Sequence, residues 1–437
     1  MTFTFFLPQS GTLKNIHLTI RTSWGNHQSF AFKTPLRISL DQWDIHKQRP
    51  VNIYLKKYKK INTILDQLKV KVTDYIKKRV EEGKTISQRE LSKKVHKICI
   101  ENTTPHAENS LLHYMHYYIH SRKEMICHST YKRYKVFYRL IERFEGFLMK
   151  RLEIDKINST FINDFIIFGQ KEEYSENTIY RSIHFVKTIL NFAEKRGVTT
   201  RVRELEIRRE KQQRNIITLS EEEIIRIKNT KIPQALQAAK EWLLISCYTG
   251  QRFSDFIQFD TKDITTIGGK QCISFIQQKT QKKILLPLHP TVLNTLKANN
   301  NSFPNIMDIQ QYNKAIKEIA GMAGLNESLR VRKRMGYRSR EIEIEKWEAI
   351  SSHIGRRSFA SNFYGKIPTP LLMQATGHGS EQIFLQYINP INKQRIIRLS
   401  DYFDKVYRER NRKSYVQKIK QEHLSEKKHK KEECRSI

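Results

Sequence analysis

The sequence predicts a mainly α-helical protein with small β-sheets, an α+β chain divided into several domains. Three observations predict it. Residues 1 to about 45 alternate apolar and polar side chains as half-buried strands do. Most of the remainder repeats apolar residues at three- and four-residue spacing, the stripe of an amphipathic helix. A two-stranded pattern then interrupts the helices near residue 275, with Ile273 and Phe275 on one side and Ile284 and Leu286 on the other. A chain of 437 residues has room for two or three cores.

At the N-terminus Phe3 and Phe5, then Ile16, Leu18 and Ile20, then Phe30 and Phe32 alternate with polar neighbours, and Trp24-Gly25-Asn26 is a turn signal between the last two runs. A small antiparallel sheet is expected. From Ile61 the apolar set Ile64, Leu65, Leu68, Val72, Tyr75 and Ile76 marks one face of a long helix, and a short helix should begin near Ser87. Residues 101–108 read as a linker. Asn109 to about Val198 read as a helical domain. Tyr134, Phe137, Leu140, Ile141, Phe144, Phe147 and Leu148 form its buried stripe, Ser159 caps a helix, and another runs from Thr178 to Arg196 and stops at Gly197. Thr199–Asn215 is charged and poor in apolar residues, so it reads as a second linker. Ser220 and Glu223 form a capping box that opens a last, mostly helical domain with one hairpin around Gln277–Lys283. The expected domains are 1–100, 109–198 and 216–408. A basic tail, 409–437, reads as helical at first and disordered from about Ser425.

The formal net charge of +35 points to a polyanionic partner, with nucleic acid ahead of an anionic membrane surface. Lysine and arginine are spread along the whole chain, which favours a long, wrapped partner. The five cysteines never pair closely, which excludes a disulfide framework and a zinc knuckle and fits a reducing compartment. Residues 1–11 lack a basic n-region, and no apolar run approaches the ~20 residues needed to cross a bilayer. A soluble, cytoplasmic, nucleoid-associated protein is expected.

Six residues of the C-terminal half carry the chemistry: Arg252, Lys279, His353, Arg356, His378 and Tyr387. Breaking a phosphodiester without a metal requires an in-line nucleophile, donors on the nonbridging oxygens, a base for the nucleophile and an acid for the leaving oxygen. Tyr387 is the candidate nucleophile, since a phenol with a pKa of about 10 both attacks and leaves, and so conserves the bond for religation. Arg252 and Arg356 are the candidate clamp, because guanidinium forks bind phosphate bidentately and keep their charge. His353 and Arg356, three apart, share a helical face, and His353 can accept the tyrosine proton. Lys279, in the hairpin loop, can protonate the leaving oxygen, with Lys282 and Lys283 as rivals. His378, after Gly377, can donate to the phosphate. The residues alone leave alternatives open: a pairing of Arg252 with Asp255, a satisfied histidine at a helix start for His353, and three merely solvated lysines. No carboxylate or cysteine stands at ligand spacing to the histidines, so neither a metal nor a cofactor is expected.

Together, in this order and spacing, with Thr249-Gly250-Gln251-Arg252, Lys279-Thr280, His353-Ile354-Gly355-Arg356, Gly377-His378 and Tyr387 nine residues after His378, the set resembles the tyrosine recombinase (phage integrase) family, in the version with an N-terminal arm domain. Gln251 stands where leucine is commoner in that family, and Arg357 where many relatives have histidine. The resemblance spans nearly the whole chain. It implies an arm domain of sheet plus helix, a helical core-binding domain, and a catalytic domain that forms a 3′-phosphotyrosyl link and passes through a Holliday junction. It implies double-stranded DNA core and arm sites, a homotetramer on DNA, possible accessory bending or directionality factors, and integration or excision of a mobile element. An invertase or dimer resolvase of the same family, a type IB topoisomerase-like enzyme and a non-catalytic DNA-binding regulator are the alternatives. Thr130, Lys132, Arg133 and Lys135 at one helix start, and Arg181, His184 and Lys187 along another, are candidate phosphate contacts.

Overall fold

The computed structural model describes residues 1–8, 13–22, 28–52, 55–100, 107–209, 216–335, 338–388, 397 and 400–409, with the side chains of 334–339 excepted. The expected turn at Trp24-Gly25-Asn26 and the tail from residue 410 lie outside them. The chain forms two compact units, Met1–Lys211 with Arg332–Ile342, and Gln212–Val331 with Glu343–Ile437.

In the first unit β1 (Thr2–Phe6), β2 (Leu13–Thr22) and β3 (Gln28–Ser39) form an antiparallel sheet in the order β1-β2-β3. The alternation fixes its register: Phe3 pairs with Ile20, Phe5 with Leu18 and Leu18 with Phe32, so one face is apolar. Two short strands, β4 (Trp43–Asp44) and β5 (Arg49–Pro50), lead into α1 (Lys56–Glu81) and α2 (Gln88–Ile100), whose apolar sides close that face. Helices α3 (Leu111–Ser121), α4 (His128–Leu148), α5 (Ser159–Lys171) and α6 (Glu176–Glu194) surround a second, aromatic-rich core.

Three expectations need correction here. Asn158, not Ser159, caps α5; its side chain accepts from the Thr160 N–H, and Ser159 is the first helical residue. Phe147 is 39% exposed and lies over the aromatic cluster through Phe144 and Phe168 instead of inside it. The second linker is partly core, since a 3-10 turn over Val202–Glu204 buries Val202 and Leu205 against α6 and its neighbours.

Helix α1 packs on α4 through a polar seam. Gly146 of α4 approaches Asp66 so closely that a Cβ there would stand 2.6 Å from the Asp66 Cβ. Asp66 pairs with Arg49 at 2.8 Å, and Arg143 pairs with Glu172. Burial pushes Glu142 up to about 7 and Glu145 up to about 8, as expected for carboxyls moved away from water.

The second unit begins with α7 (Glu221–Asn229), opened by the expected capping box: Ser220 accepts from the Glu223 N–H and Glu223 from the Ser220 N–H. Then come α8 (Gln237–Thr249), α9 (Phe253–Phe256) and an antiparallel sheet of β6 (Ile264–Ile267), β7 (Lys270–Ile276) and β8 (Lys283–Pro287). Ile273 pairs with Leu286 and Phe275 with Ile284, the hairpin read from the sequence. β6 was not expected. Helices α10 (Pro290–Ala298) and α11 (Ile309–Met322) precede a second pair of strands, β9 (Ser328–Met335) and β10 (Arg338–Glu345), of which Arg332–Ile342 belong to the first unit, where only one hairpin was expected. Helices α12 (Lys346–Ala349), α13 (Ile354–Phe363), α14 (Thr369–Thr376) and α15 (Glu381–Leu385) complete the unit. Residues 400–409 are helical, with Tyr402, Phe403 and Tyr407 exposed.

Candidate active site

All six chemical candidates lie in the second unit, and two close helix approaches assemble them. Helix α8 ends on Gly250 at φ 67°, the left-handed cap that glycine adopts without strain. A Cβ on Gly250 would strike the Phe359 ring at 2.4 Å, and one on Gly355 would stand 2.0 Å from the Ser246 Oγ. Glycine at both positions lets α13 lie directly on α8. That contact brings Arg356, in the first turn of α13, beneath the α8–α9 junction where Arg252 stands.

Arg356 is fully buried. Its Nη1 donates to the Gly250 carbonyl at 3.0 Å and its Nη2 to the Thr376 carbonyl at 2.7 Å, with the His378 Nε2 also 3.0 Å from Nη2. Its Nε has no hydrogen-bond partner. Burial, then the neighbouring Arg252, lower its pKa, while Tyr387 and Asp255 oppose the shift; the guanidinium remains charged at neutral pH. Arg252 Nη1 donates to the Gln277 Oε1 at 3.2 Å and lies 3.7 Å from the Asp255 Oδ2. The alternative pairing of Arg252 with Asp255 is therefore present, but at long range. Two guanidiniums facing one carboxylate leave net positive charge at the floor of the site.

His353 is the N-cap residue of α13 and accessible to solvent. The protein packed around it, then Arg357, Arg356, Arg252 and Lys279, hold it below the ordinary histidine value of 6.5, so it is neutral at neutral pH. His378 is pushed down to about 3 by burial and then by Arg356, Arg252 and Lys282. Its tautomer follows from its neighbours. The Thr376 hydroxyl donates to the Leu372 carbonyl at 2.6 Å, so at 2.7 Å it accepts from His378 Nδ1–H. Nε2 is then the lone-pair nitrogen, and it accepts from Arg356. In this arrangement His378 orients Arg356, whereas the sequence had suggested a donor to phosphate.

Tyr387 stands two residues after the end of α15, half-buried against the small cluster of Phe359, Leu372 and Phe384. Its ring centroid lies 5.0 Å from that of His378 and 5.5 Å from the Arg356 guanidinium carbon. The turn between β7 and β8 exposes both Lys279 and Lys282. Lys279 acts electrostatically on His353 and Lys282 on His378, so the two lysines flank the site, while Lys283 belongs to β8 opposite Ile276. Sequence reasoning missed Gln277 and Thr376. Gln277 is fully buried, and no local pattern marks it because its partners come from the α8–α9 junction and from α14. Among the described residues no cluster of His, Cys, Asp and Glu could hold a metal ion, and no helix is long and apolar enough to cross a membrane.

The other candidate contacts lie in the first unit. Lys132, Arg133 and Lys135 are exposed on the first turns of α4, and Thr130 lies 3.1 Å from the Cys127 Sγ. Arg181 and His184 are exposed on α6, but the Lys187 Nζ donates to the Leu205 carbonyl at 2.8 Å, which gives it a structural role.

Residues 110–204 match the phage integrase SAM-like domain, and residues 208–395 match the phage integrase family. No curated protein matches the chain. Among solved structures, the chain is similar to the Tn1549 transposon integrase (aa 82–397) in complex with a circular intermediate DNA, at 12% identity and a TM-score of 0.50, over 67% of this chain and 99% of that one. It is similar to the lambda integrase (aa 75–356) dimer bound to a COC′ core site, at 17% identity and a TM-score of 0.45, over 63% and 93%. It is also similar to the XerH site-specific recombinase bound to difH, at 15% identity and a TM-score of 0.44, over 77% and 94%. These identities speak to fold alone. The two family matches take in the α3–α6 domain and all six residues gathered around Arg356, and the chain belongs to the phage integrase family as a site-specific tyrosine recombinase that cleaves and rejoins DNA.

Proposed function

We propose that Tyr387 attacks the scissile phosphate while Arg252 and Arg356 hold its nonbridging oxygens. The observation that carries this reading is a fully buried guanidinium, Arg356, and a half-buried one, Arg252, with one carboxylate, Asp255, acting on both, beside a half-buried tyrosine. A phosphate supplies the missing negative charge, and positive donors fixed before the reaction are worth most where charge develops. The unpartnered Arg356 Nε adds a donor without an acceptor. His353, neutral and accessible, takes the phenol proton. His378 holds Arg356 in place, and Lys279 protonates the 5′ leaving oxygen. The product is a 3′-phosphotyrosyl link and a free 5′ hydroxyl, and no metal or cofactor enters the cycle.

The biological role we propose is integration and excision of a mobile element, with four protomers on two core sites. The N-terminal sheet with α1 and α2, built around its own apolar cluster, supports arm-site binding by residues 1–100, and the α3–α6 domain supports core binding through Lys132, Arg133, Lys135 and Arg181. The exposed Tyr402, Phe403 and Tyr407 support docking of the terminal helix on a neighbouring protomer. Such an enzyme works at the nucleoid, where accessory bending or directionality factors can join it.

The test uses a nicked suicide duplex enriched from a random-core pool by covalent capture on the wild-type protein. Lys279→Ala should slow adduct formation about 10²- to 10⁴-fold, the range for a lost general acid. A 5′-bridging phosphorothiolate in the same duplex has a better leaving group and should restore the rate. Rescue of Lys282→Ala instead would transfer the role to Lys282.

A pH profile tests the base. Because the His353 pKa lies below 6.5, the neutral form persists as pH falls to that value, and the rate should drop only at lower pH. His378 titrates too low to interfere. A half-rate point above 6.5 would remove His353 from the role.

A further inference from the structure

We propose that Gln277, paired with Gln251, is a positioning residue that ties the lysine-bearing turn to Arg252 and to the Thr376–His378 corner. The inference rests on the recombinase reading of the site and adds a device that its six residues do not contain.

Gln277 is fully buried, and so is Gln251. Arginine can only donate, so the 3.2 Å contact from Arg252 Nη1 requires the oxygen of the Gln277 amide to face it. That choice sends Nε2 the other way, where it donates to the Gln251 Oε1 at 3.0 Å and to the Thr376 carbonyl at 3.1 Å. The Gln251 amide nitrogen in turn donates to the Thr249 and Ala375 carbonyls at 2.8 and 2.7 Å. Every polar atom of the two side chains is therefore used. Leucine at position 251 could accept nothing from Gln277, so glutamine there has a specific partner.

The same side chain governs the turn. Thr280 Oγ1 donates to the Gln277 Oε1 at 2.7 Å, and the Gln277 N–H donates to the Lys282 carbonyl at 2.9 Å. The Gln281 N–H donates to the Gln277 carbonyl at 2.8 Å, and the Gln278 N–H to the Asp255 Oδ1 at 2.9 Å. Lys279 thus sits on an exposed turn whose base is fastened to α9. Gly377 completes the fit, since a Cβ there would stand 2.4 Å from the Gln277 Oε1. One amide therefore sets three distances: Arg252 to the turn, the turn to α14, and α14 to Arg356 through the Thr376 carbonyl, which also accepts from Arg356 at 2.7 Å.

The test compares the full-length wild type, Gln277→Ala and Thr280→Val on the captured duplex, with oxygen or sulfur at the 5′ bridging position. Gln277→Ala should bind the duplex within about threefold of wild type, because phosphate contacts elsewhere set affinity. It should cleave the oxygen substrate about 10- to 100-fold more slowly, the cost of misplacing a catalytic group by about 1 Å. The deficit should shrink several-fold on the sulfur substrate, which needs no acid, leaving the part due to a displaced Arg252. Equal deficits on both substrates, or none, would overturn the proposal. Thr280→Val changes an exposed residue that folding tolerates, and should show the same pattern at smaller size; if Gln277→Ala does not fold, Thr280→Val decides by the same criterion. Failure of the wild type to capture any duplex would count against the recombinase reading instead.

Discussion

Arg356→Lys should slow covalent capture of DNA by about 10³-fold or more, although it keeps the charge. Arg356 makes three polar contacts inside the protein, to the Gly250 and Thr376 carbonyls and to His378, and still has an unpartnered Nε. An ammonium on a single stem cannot reach both carbonyls and a phosphate oxygen, so the planar fork is the functional feature. Loss of one preorganised donor at a developing charge costs about 10²- to 10³-fold, and here at least one is lost while the others shift. Arg356→Ala should be slower still, and it should also lower the melting temperature. It orphans the Gly250 carbonyl at a cost of about 1–3 kcal/mol, leaves the Thr376 carbonyl with Gln277 as its side-chain donor, and removes buried volume. Single-turnover capture and a thermal melt separate the two effects. Capture by Arg356→Lys within tenfold of wild type would exclude Arg356 from the clamp.

Tyr387→Phe should abolish the adduct altogether. The change removes one oxygen and keeps the ring, which packs on Phe384 and Leu372 and lies beside His378 and Arg356. Stability should therefore hardly change. DNA affinity and its salt dependence should match wild type, because both follow the number of phosphate contacts and the +35 charge is untouched. A large loss of binding in Tyr387→Phe would mean that the tyrosine serves the DNA surface and not the chemistry.

Much of this was legible in the sequence, wherever apolar periodicity or local capping carried it. The first sheet, α1, the β7–β8 pairing of Ile273 with Leu286 and the Ser220–Glu223 box all rest on such signals. The β9–β10 pair carries the alternation, with Leu329 and Val331 between arginines and Ile342 and Ile344 between glutamates, but so few apolar positions in a charged segment did not stand out as strands. Val202 and Leu205 were hidden as two isolated apolar residues in a charged segment. The six chemical residues could be named because residue type and order carry them. Their support could not: the Gly250 carbonyl, Thr376 and Gln277 act through contacts made across 20 to 106 positions of sequence, which only the folded chain brings together. The His378 tautomer was hidden for the same reason, since it depends on the Thr376 hydroxyl.

The most direct test of the central claim is to map the protein–DNA linkage. Wild-type protein is incubated with labelled suicide duplex in excess chelator, run on a denaturing gel, digested, and the DNA-bound peptide sequenced. The account predicts a denaturant-resistant adduct that forms without free metal, with DNA joined through its 3′ phosphate to Tyr387. A linkage at any other residue, or an adduct that persists in Tyr387→Phe, would contradict it.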